Sequence, residues 1–135
     1  MSKLTPWICV DLDGTLAHYG DWVAWNVIGK PIPLMLERVK KWIAEGKDVR
    51  IFTARVGIVV SKCVVNGQSF TAHDMTMVIQ DWCEKQGLPR LQVTATKDYG
   101  MAELWDDRCI QVVPNTGRTL AEEHEAELTA LRGKP

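Results

Sequence analysis

The sequence predicts an α/β fold on a parallel sheet, because short apolar runs alternate with amphipathic segments. A first strand is predicted at 7–10 and a second at 49–53. Between them, Pro31 and Pro33 introduce a helix that ends near Gly46. A strand, a helix and a second strand form a right-handed unit with parallel strands. Both strands should therefore end at the same edge of the sheet.

Three further strands and a second helix complete the predicted sheet. Thr71 and Asp74 have the spacing of a capping box, and the helix that they begin should end at Gly87. Apolar runs at 91–95, 102–105 and 110–113 predict the remaining strands, which makes five strands in all.

Three other segments have their own patterns. Residues 15–30 are framed by glycines and predict a flap or short hairpin, in which Trp22 and Trp25 either shield the site or pack on the core edge. Residues 56–70 contain Asn66-Gly67, a tight-turn signal, and predict a small hairpin insert. Residues 119–132 predict a C-terminal helix.

Composition favours a single globular domain spanning residues 1–135. The net charge of -1 gives no electrostatic case for nucleic acid or membrane binding, and we expect no membrane helix. Four cysteines form no CxxC pair, so we expect reduced thiols and a cytoplasmic protein.

Two carboxylates, Asp11 and Asp13, stand where the first strand should end, and Gly14 follows them. Side chains two residues apart on a strand point the same way. These two would repel each other unless a cation or a proton lay between them, so the pair suggests a hard metal such as Mg²⁺. The alternative is an ordinary acid-glycine turn.

Polar residues also follow the later strands. Thr53 ends the second, Lys97 follows the third, and Asp106 and Asp107 follow the fourth. Because ligands bind beyond the carboxyl ends of parallel strands, we expect these side chains to share one crevice. A hydroxyl and a backbone amide suit a phosphate oxygen, and acids suit a hard cation. Arg55 either binds substrate or pairs with a surface acid.

The stretch Asp11–Leu16, DLDGTL, resembles motif I of the haloacid dehalogenase (HAD) superfamily. Thr53, Lys97 and Asp106-Asp107 resemble its motifs II, III and IV in chain order, so the resemblance covers about residues 7–113. It implies a three-layer α/β/α, Rossmann-like fold with a parallel five-stranded sheet. At this length the chain has no room for a full cap domain.

The resemblance also implies roles for the site residues. Asp11 would be the nucleophile and Asp13 the general acid/base, with Lys97 balancing their charge. The residues expected to bind phosphate or substrate are Leu12, Thr53, Ala54, Arg55 and Lys97. The residues expected at Mg²⁺ are Asp11, Asp13 (through its backbone carbonyl), Asp106 and Asp107, the last either as a ligand or as an outer partner.

The implied function is Mg²⁺-dependent hydrolysis of a phosphate monoester through an aspartyl phosphate. One alternative is a non-catalytic or single-turnover phosphate-binding regulatory module, similar to receiver domains. Another is a phosphatase that acts on nucleic-acid ends. The expected partners are a small phosphorylated substrate or a phosphorylated polymer end, and a homo-oligomer stays open. Asp13 favours hydrolysis, because receiver domains lack an acid/base at this position.

Overall fold

The computed structural model describes residues 5–21, 23–57, 63–65 and 67–133. Its main sheet has four parallel strands in the order β5-β2-β1-β6. These strands are β1 (Trp7–Asp11), β2 (Asp48–Phe52), β5 (Val93–Thr94) and β6 (Met101–Trp105). A separate antiparallel pair consists of β3 (Cys63–Val65) and β4 (Gln68–Phe70). The predicted α/β class with a parallel sheet is confirmed.

The three described helices are α1 (Pro33–Ala44), α2 (Ala72–Lys85) and α3 (Leu120–Arg132). Helix α1 begins with a proline, whose missing amide hydrogen would have had no partner there. Helices α2 and α3 each begin at a complete capping box, as their sequences predict. None of the three combines the length and apolar character that crossing a bilayer requires.

Helices α1 and α2 lie on the same face of the sheet. The chain moves in one direction from β1 to β2 to β5, and right-handed crossovers then place both helices on one side. On this face Ile8 and Val10 of β1 stand beside their partners in β2 and form one core with both helices. Its buried helical members are Met35, Val39, Met75, Ile79, Trp82 and Cys83. Truncating one large member of such a core to alanine costs ~2–5 kcal/mol.

The opposite face is covered differently. Trp7 and Cys9 point to it and are fully buried, beside Arg50 of β2. The Trp7 indole donates a 2.9 Å hydrogen bond to Asp98, in the segment 95–100 that leads from β5 to β6. The predicted three-layer arrangement is not confirmed: α1 and α2 share one face, and the six residues between β5 and β6 are too few for a crossover helix on the other.

The predicted fifth strand, 110–113, is wrong. This segment forms only one bridge, between Val112 and Thr119, and Ile110 is 75% exposed. Only residues 106–109 separate it from β6, and these four are too few to bring the chain back to the start of the sheet for another parallel strand. The main sheet therefore has four strands among the described residues.

The flap closes at its base, but its described residues do not form paired strands. Ala17 and Pro31 make a single antiparallel bridge, and the His18 amide donates to the Lys30 carbonyl at 2.8 Å. The insert contains the β3–β4 hairpin, as predicted. Trp22, residues 58–62 and Asn66, to which sequence predictions also apply, lie outside the described residues.

Candidate active site

Three carboxylates converge at one end of the sheet. Asp11 ends β1, and Asp106 and Asp107 directly follow β6, the neighbouring parallel strand. One carboxylate oxygen from each of the three lies within 4.8 Å of the other two. The structure thus brings together the predicted acids of the first and fourth motifs.

The turn after β1 fits closely against Asp107. The Leu12 carbonyl accepts hydrogen bonds from the amides of Thr15, Leu16 and Ala17, which reverses the chain at once. Gly14 adopts a φ of +90°, and a Cβ on it would lie 2.5 Å from Asp107 Oδ2. Only glycine allows both this backbone conformation and this close approach.

Thr15 links two of the acids, a role that we did not assign from the sequence. Its hydroxyl lies 3.3 Å from Asp11 Oδ2 and 3.4 Å from Asp107 Oδ1, and it accepts the Asp107 amide at 3.0 Å. One hydroxyl hydrogen serves either carboxylate in turn. The sequence signal that could have identified Thr15 is its position directly after the Asp-Leu-Asp-Gly stretch.

Electrostatics explain why this cluster suits a cation. Burial, together with the neighbouring Asp106 and Asp107, raises the pKa of Asp11 to about 7. Burial and the same negative surroundings raise the pKa of the Cys9 thiol to about 12, so Cys9 is protonated at neutral pH. Three converging carboxylate oxygens match the ligand preference of Mg²⁺. The donor set therefore fits a hard divalent ion.

Asp13 lies in a different environment from Asp11. Both of its carboxylate oxygens accept from Arg55, with Nε at 2.6 Å from Oδ2 and Nη2 at 2.8 Å from Oδ1. Arg55 thus pairs with an acid of the predicted site and not with a surface acid, and substrate binding by Arg55 stays a prediction. The Asp13 carboxylate is not part of the three-acid cluster, so a metal role through its backbone carbonyl stays a prediction.

A cavity of about 470 Å³ opens above the acids. Ala54, Tyr19 and Arg108 line it together with the acids, and neither of the last two was a predicted site residue. The backbone amide of Arg108 donates to Asp106 Oδ1 at 2.8 Å, and no ion pair between Arg108 and Asp107 occurs in the described part of the chain.

Two residues that were predicted to bind phosphate, Thr53 and Leu12, are buried. Thr53 is 3% exposed, its amide donates to the Thr94 carbonyl at 2.9 Å, and its hydroxyl accepts the Arg55 amide at 3.1 Å. The Leu12 side chain is completely buried, which leaves its backbone for a ligand. Neither is among the described residues that line the cavity, and their phosphate roles stay predictions.

The structure does not bring Lys97 to the acids. Lys97 is exposed and is absent from the described lining of the cavity. The next residue, Asp98, is held by Trp7, which starts β1, whereas Asp11 ends it. The chain therefore reaches the other end of β1 by Asp98. The catalytic and phosphate-binding roles predicted for Lys97 stay untested.

Comparison with known proteins supports the fold alone. No family model and no curated protein matches the chain. A solved structure of a conserved protein from Bacteroides thetaiotaomicron is similar, with a TM-score of 0.51, 19% sequence identity and coverage of 92% of each chain. At this identity the likeness shows a shared α/β architecture.

Proposed function

We propose that this protein is a HAD-type phosphohydrolase that cleaves a phosphate monoester in a Mg²⁺-dependent reaction. The observation that carries the proposal is the convergence of Asp11, Asp106 and Asp107 at the carboxyl end of two adjacent parallel strands. Acids at this end of an open α/β sheet lie where such folds bind ligands.

Asp11, Asp106 and Asp107 would hold the metal ion. When bound, Mg²⁺ supplies positive charge that offsets the negative charge of the phosphoryl group and the carboxylates. Asp11 is the proposed nucleophile, because it ends β1 at the floor of the cavity. Burial and the neighbouring acids Asp106 and Asp107 raise the pKa of Asp11, and a bound cation would favour the carboxylate needed for attack.

Asp13 is the proposed general acid/base. It lines the same cavity as Asp11 but belongs to a separate ion pair. In the proposed first step, an Asp11 oxygen bonds to phosphorus, the bond to the leaving oxygen breaks, and that oxygen takes a proton from Asp13. In the second step, Asp13 accepts a proton from a water whose oxygen bonds to phosphorus, while the bond from phosphorus to the Asp11 oxygen breaks, which releases phosphate and restores the Asp11 carboxylate.

The cationic lining of the cavity differs from the expected one. Arg108 and Arg55 border the space above the acids, whereas Lys97 does not. We infer that Arg108 contacts the non-bridging phosphoryl oxygens, because its exposed side chain borders the cavity and arginine suits bidentate phosphate binding. The expected cytoplasmic location, the phosphorylated partner and a homo-oligomer stay predictions.

The test is hydrolysis of a generic aryl phosphate with and without Mg²⁺. We expect many turnovers by the native protein, dependence on Mg²⁺, and a loss of at least about a thousandfold in Asp11→Asn, since the nucleophile is removed. Asp81→Asn is the matched control, because Asp81 is an exposed acid of α2 that pairs with Arg90.

Each other outcome selects a different function. Release of one phosphate per chain or fewer would support the single-turnover regulatory module. Turnover that is confined to phosphorylated DNA ends would support the nucleic-acid-end phosphatase. Wild-type activity in Asp11→Asn would exclude Asp11 as the nucleophile and contradict the proposed mechanism.

A further inference from the structure

Arg55 is at the centre of a network that includes the flap loop, defined here as residues 18–21 and 23–29. Besides its two bonds to Asp13, Arg55 donates through Nη1 to the Trp25 carbonyl and through Nη2 to the Val27 carbonyl, each at 3.2 Å. Its side chain is only 11% exposed. One guanidinium therefore holds an acid of the site and two loop carbonyls together.

The flap loop has further anchors away from the acids. The Trp25 amide donates to the Gln68 side chain at 3.1 Å, and the Trp25 ring stacks on Phe70 with centroids 5.2 Å apart. The Trp82 indole donates to the Gly29 carbonyl at 3.0 Å. These contacts hold the loop on the hairpin and on α2, whereas Arg55 joins it to Asp13.

A second cavity, of about 240 Å³, lies between this network and the flap loop. Asp13 and Arg55 line it together with loop residues that include His18 and Val27, and Asp11 does not. Asp13 and Arg55 also line the larger cavity above the acids, so the two cavities meet at this ion pair. A leaving group that takes a proton from Asp13 would extend toward the flap loop.

We propose that Arg55 is a positioning residue that couples the flap loop to Asp13, so that the loop and the acid/base are aligned as one unit. This inference rests on the proposed function. Bidentate pairing uses one lone-pair site on each oxygen of Asp13, and a carboxylate offers about four sites, so two stay available for a proton or a substrate. Arg55 fixes the direction of those remaining sites.

Coupling predicts a specific dependence on the leaving group. A poor leaving group, such as the phenolate of phenyl phosphate, needs a proton as the bond to phosphorus breaks, whereas 2,4-dinitrophenolate leaves without one. We expect Arg55→Gln to lower kcat for phenyl phosphate about a hundredfold, the usual contribution of a positioned acid/base. The loss for 2,4-dinitrophenyl phosphate should be within about threefold.

Two further variants separate alignment from charge and from folding. Arg55→Lys retains the positive charge but loses the bidentate geometry. We expect it to lower kcat more for phenyl phosphate than for 2,4-dinitrophenyl phosphate, as Arg55→Gln does. Arg50→Gln is the matched control, because Arg50 is also partly buried and pairs with an acid, Asp48, at 2.8 Å. Its loss should be equal for the two esters.

Gly29→Ala tests the coupling from the loop side. A Cβ at Gly29 would collide with the His18 carbonyl oxygen, so the loop must move, although Asp13 and Arg55 are unchanged. We expect Gly29→Ala to show the same preference for the better leaving group. Combined with Arg55→Gln, it should add less than about threefold to the loss, because both changes break one unit.

The outcomes distinguish failure of the coupling from failure of the proposed function. Equal losses on both esters in Arg55→Gln and Arg55→Lys, or no leaving-group effect in Gly29→Ala, would overturn the coupling. No Mg²⁺-dependent turnover of either ester by the native protein would overturn the proposed function instead.

If the native protein shows no Mg²⁺-dependent turnover, hydrogen exchange still tests the coupling. Asp13→Asn should then speed amide exchange in the flap loop about tenfold, because Arg55 loses its charged partner. Unchanged exchange would overturn the coupling without any measurement of activity.

Discussion

Asp11 and Asp13 are two residues apart, yet their surroundings are opposite. Asp11 faces Asp106 and Asp107, and its pKa is raised to about 7. Asp13 receives two hydrogen bonds from Arg55, at 2.6 and 2.8 Å. Among the described residues, Asp13 therefore forms an ion pair with an arginine, whereas Asp11 forms none.

The difference assigns the two acids different chemistry. Asp11, which lies among other carboxylates, is suited to share a divalent cation with them. Asp13 is held in place by its arginine and needs no metal ion for this. Environments that separate two acids in this way are typical of sites where one acid attacks and the other transfers protons. The same substitution at the two positions should then have opposite effects on stability.

The largest effect is expected for Asp13→Asn. The amide nitrogen of Asn would face the donors of Arg55, which is left partly buried without a charged acceptor. Loss of a hydrogen bond to a charged group costs about 1.5–3 kcal/mol, and we expect the free energy of unfolding to fall by that amount in chemical denaturation.

The control for that measurement is Asp48→Asn. Asp48 also pairs with an arginine, but its side chain is 35% exposed against 21% for Asp13. We expect a loss of about 0–1 kcal/mol, as for exposed ion pairs. Equal losses of the free energy of unfolding at the two positions would show that the Asp13–Arg55 pair stabilises the fold no more than the Asp48–Arg50 pair does.

Gly14→Ala is expected to disturb the three-acid cluster that includes Asp11. Alanine at a φ of +90° is strained by about 1–3 kcal/mol, and its Cβ would also push against Asp107 Oδ2. We expect a lower melting temperature and no further rise of it on addition of Mg²⁺. Gly117→Ala is the matched control, since Gly117 has a φ of +76° but no atom within 4 Å of such a Cβ. If Mg²⁺ raised the melting temperature of Gly14→Ala as much as that of the native protein, this prediction would be contradicted.

The smallest effect, and the one of opposite sign, is expected for Asp11→Asn without metal. The pKa of Asp11 rises from 3.8 to about 7 on folding, so its contribution to stability is fully present below pH 3.8 and is lost as the pH rises through about 7. Asparagine avoids this loss. In a chelator, the melting temperature of Asp11→Asn should exceed that of the native protein increasingly from pH 4 to pH 7. A variant less stable than the native protein throughout that range would refute the assignment.

Local sequence signals predicted much of the fold. The run before Asp11 is a buried strand, and both threonine capping boxes begin helices where expected. These signals succeed because each depends on residues within one turn or one strand. The convergence of Asp11 with Asp106 was also predictable, because parallel strands end at one edge of a sheet.

Other features depend on connections that local patterns do not report. The run 110–113 has strand-like residues, but its short link to β6 leaves no path for a parallel neighbour. Lys97 follows a strand, as expected, but the segment then crosses the opposite face of the sheet to reach β6. Counting the residues in the link after β6 would have corrected the strand prediction.

The partner of Arg55 could not be chosen from the sequence. Substrate binding and pairing with an acid were equally compatible with its position after Thr53. The choice depends on the flap loop, whose Trp25 and Val27 carbonyls hold the guanidinium beside Asp13. Loop carbonyls leave no residue-specific signal, because every residue carries one.

The most direct test of the central claim is a calorimetric titration of the native protein and Asp106→Asn with Mg²⁺. We expect the native chain to bind a divalent ion at the three acids. The affinity should fall at least about tenfold in Asp106→Asn, since even outer partners of a metal contribute that much, and should not change in Asp81→Asn. Absence of binding, or equal affinity in the native protein and Asp106→Asn, would contradict that claim.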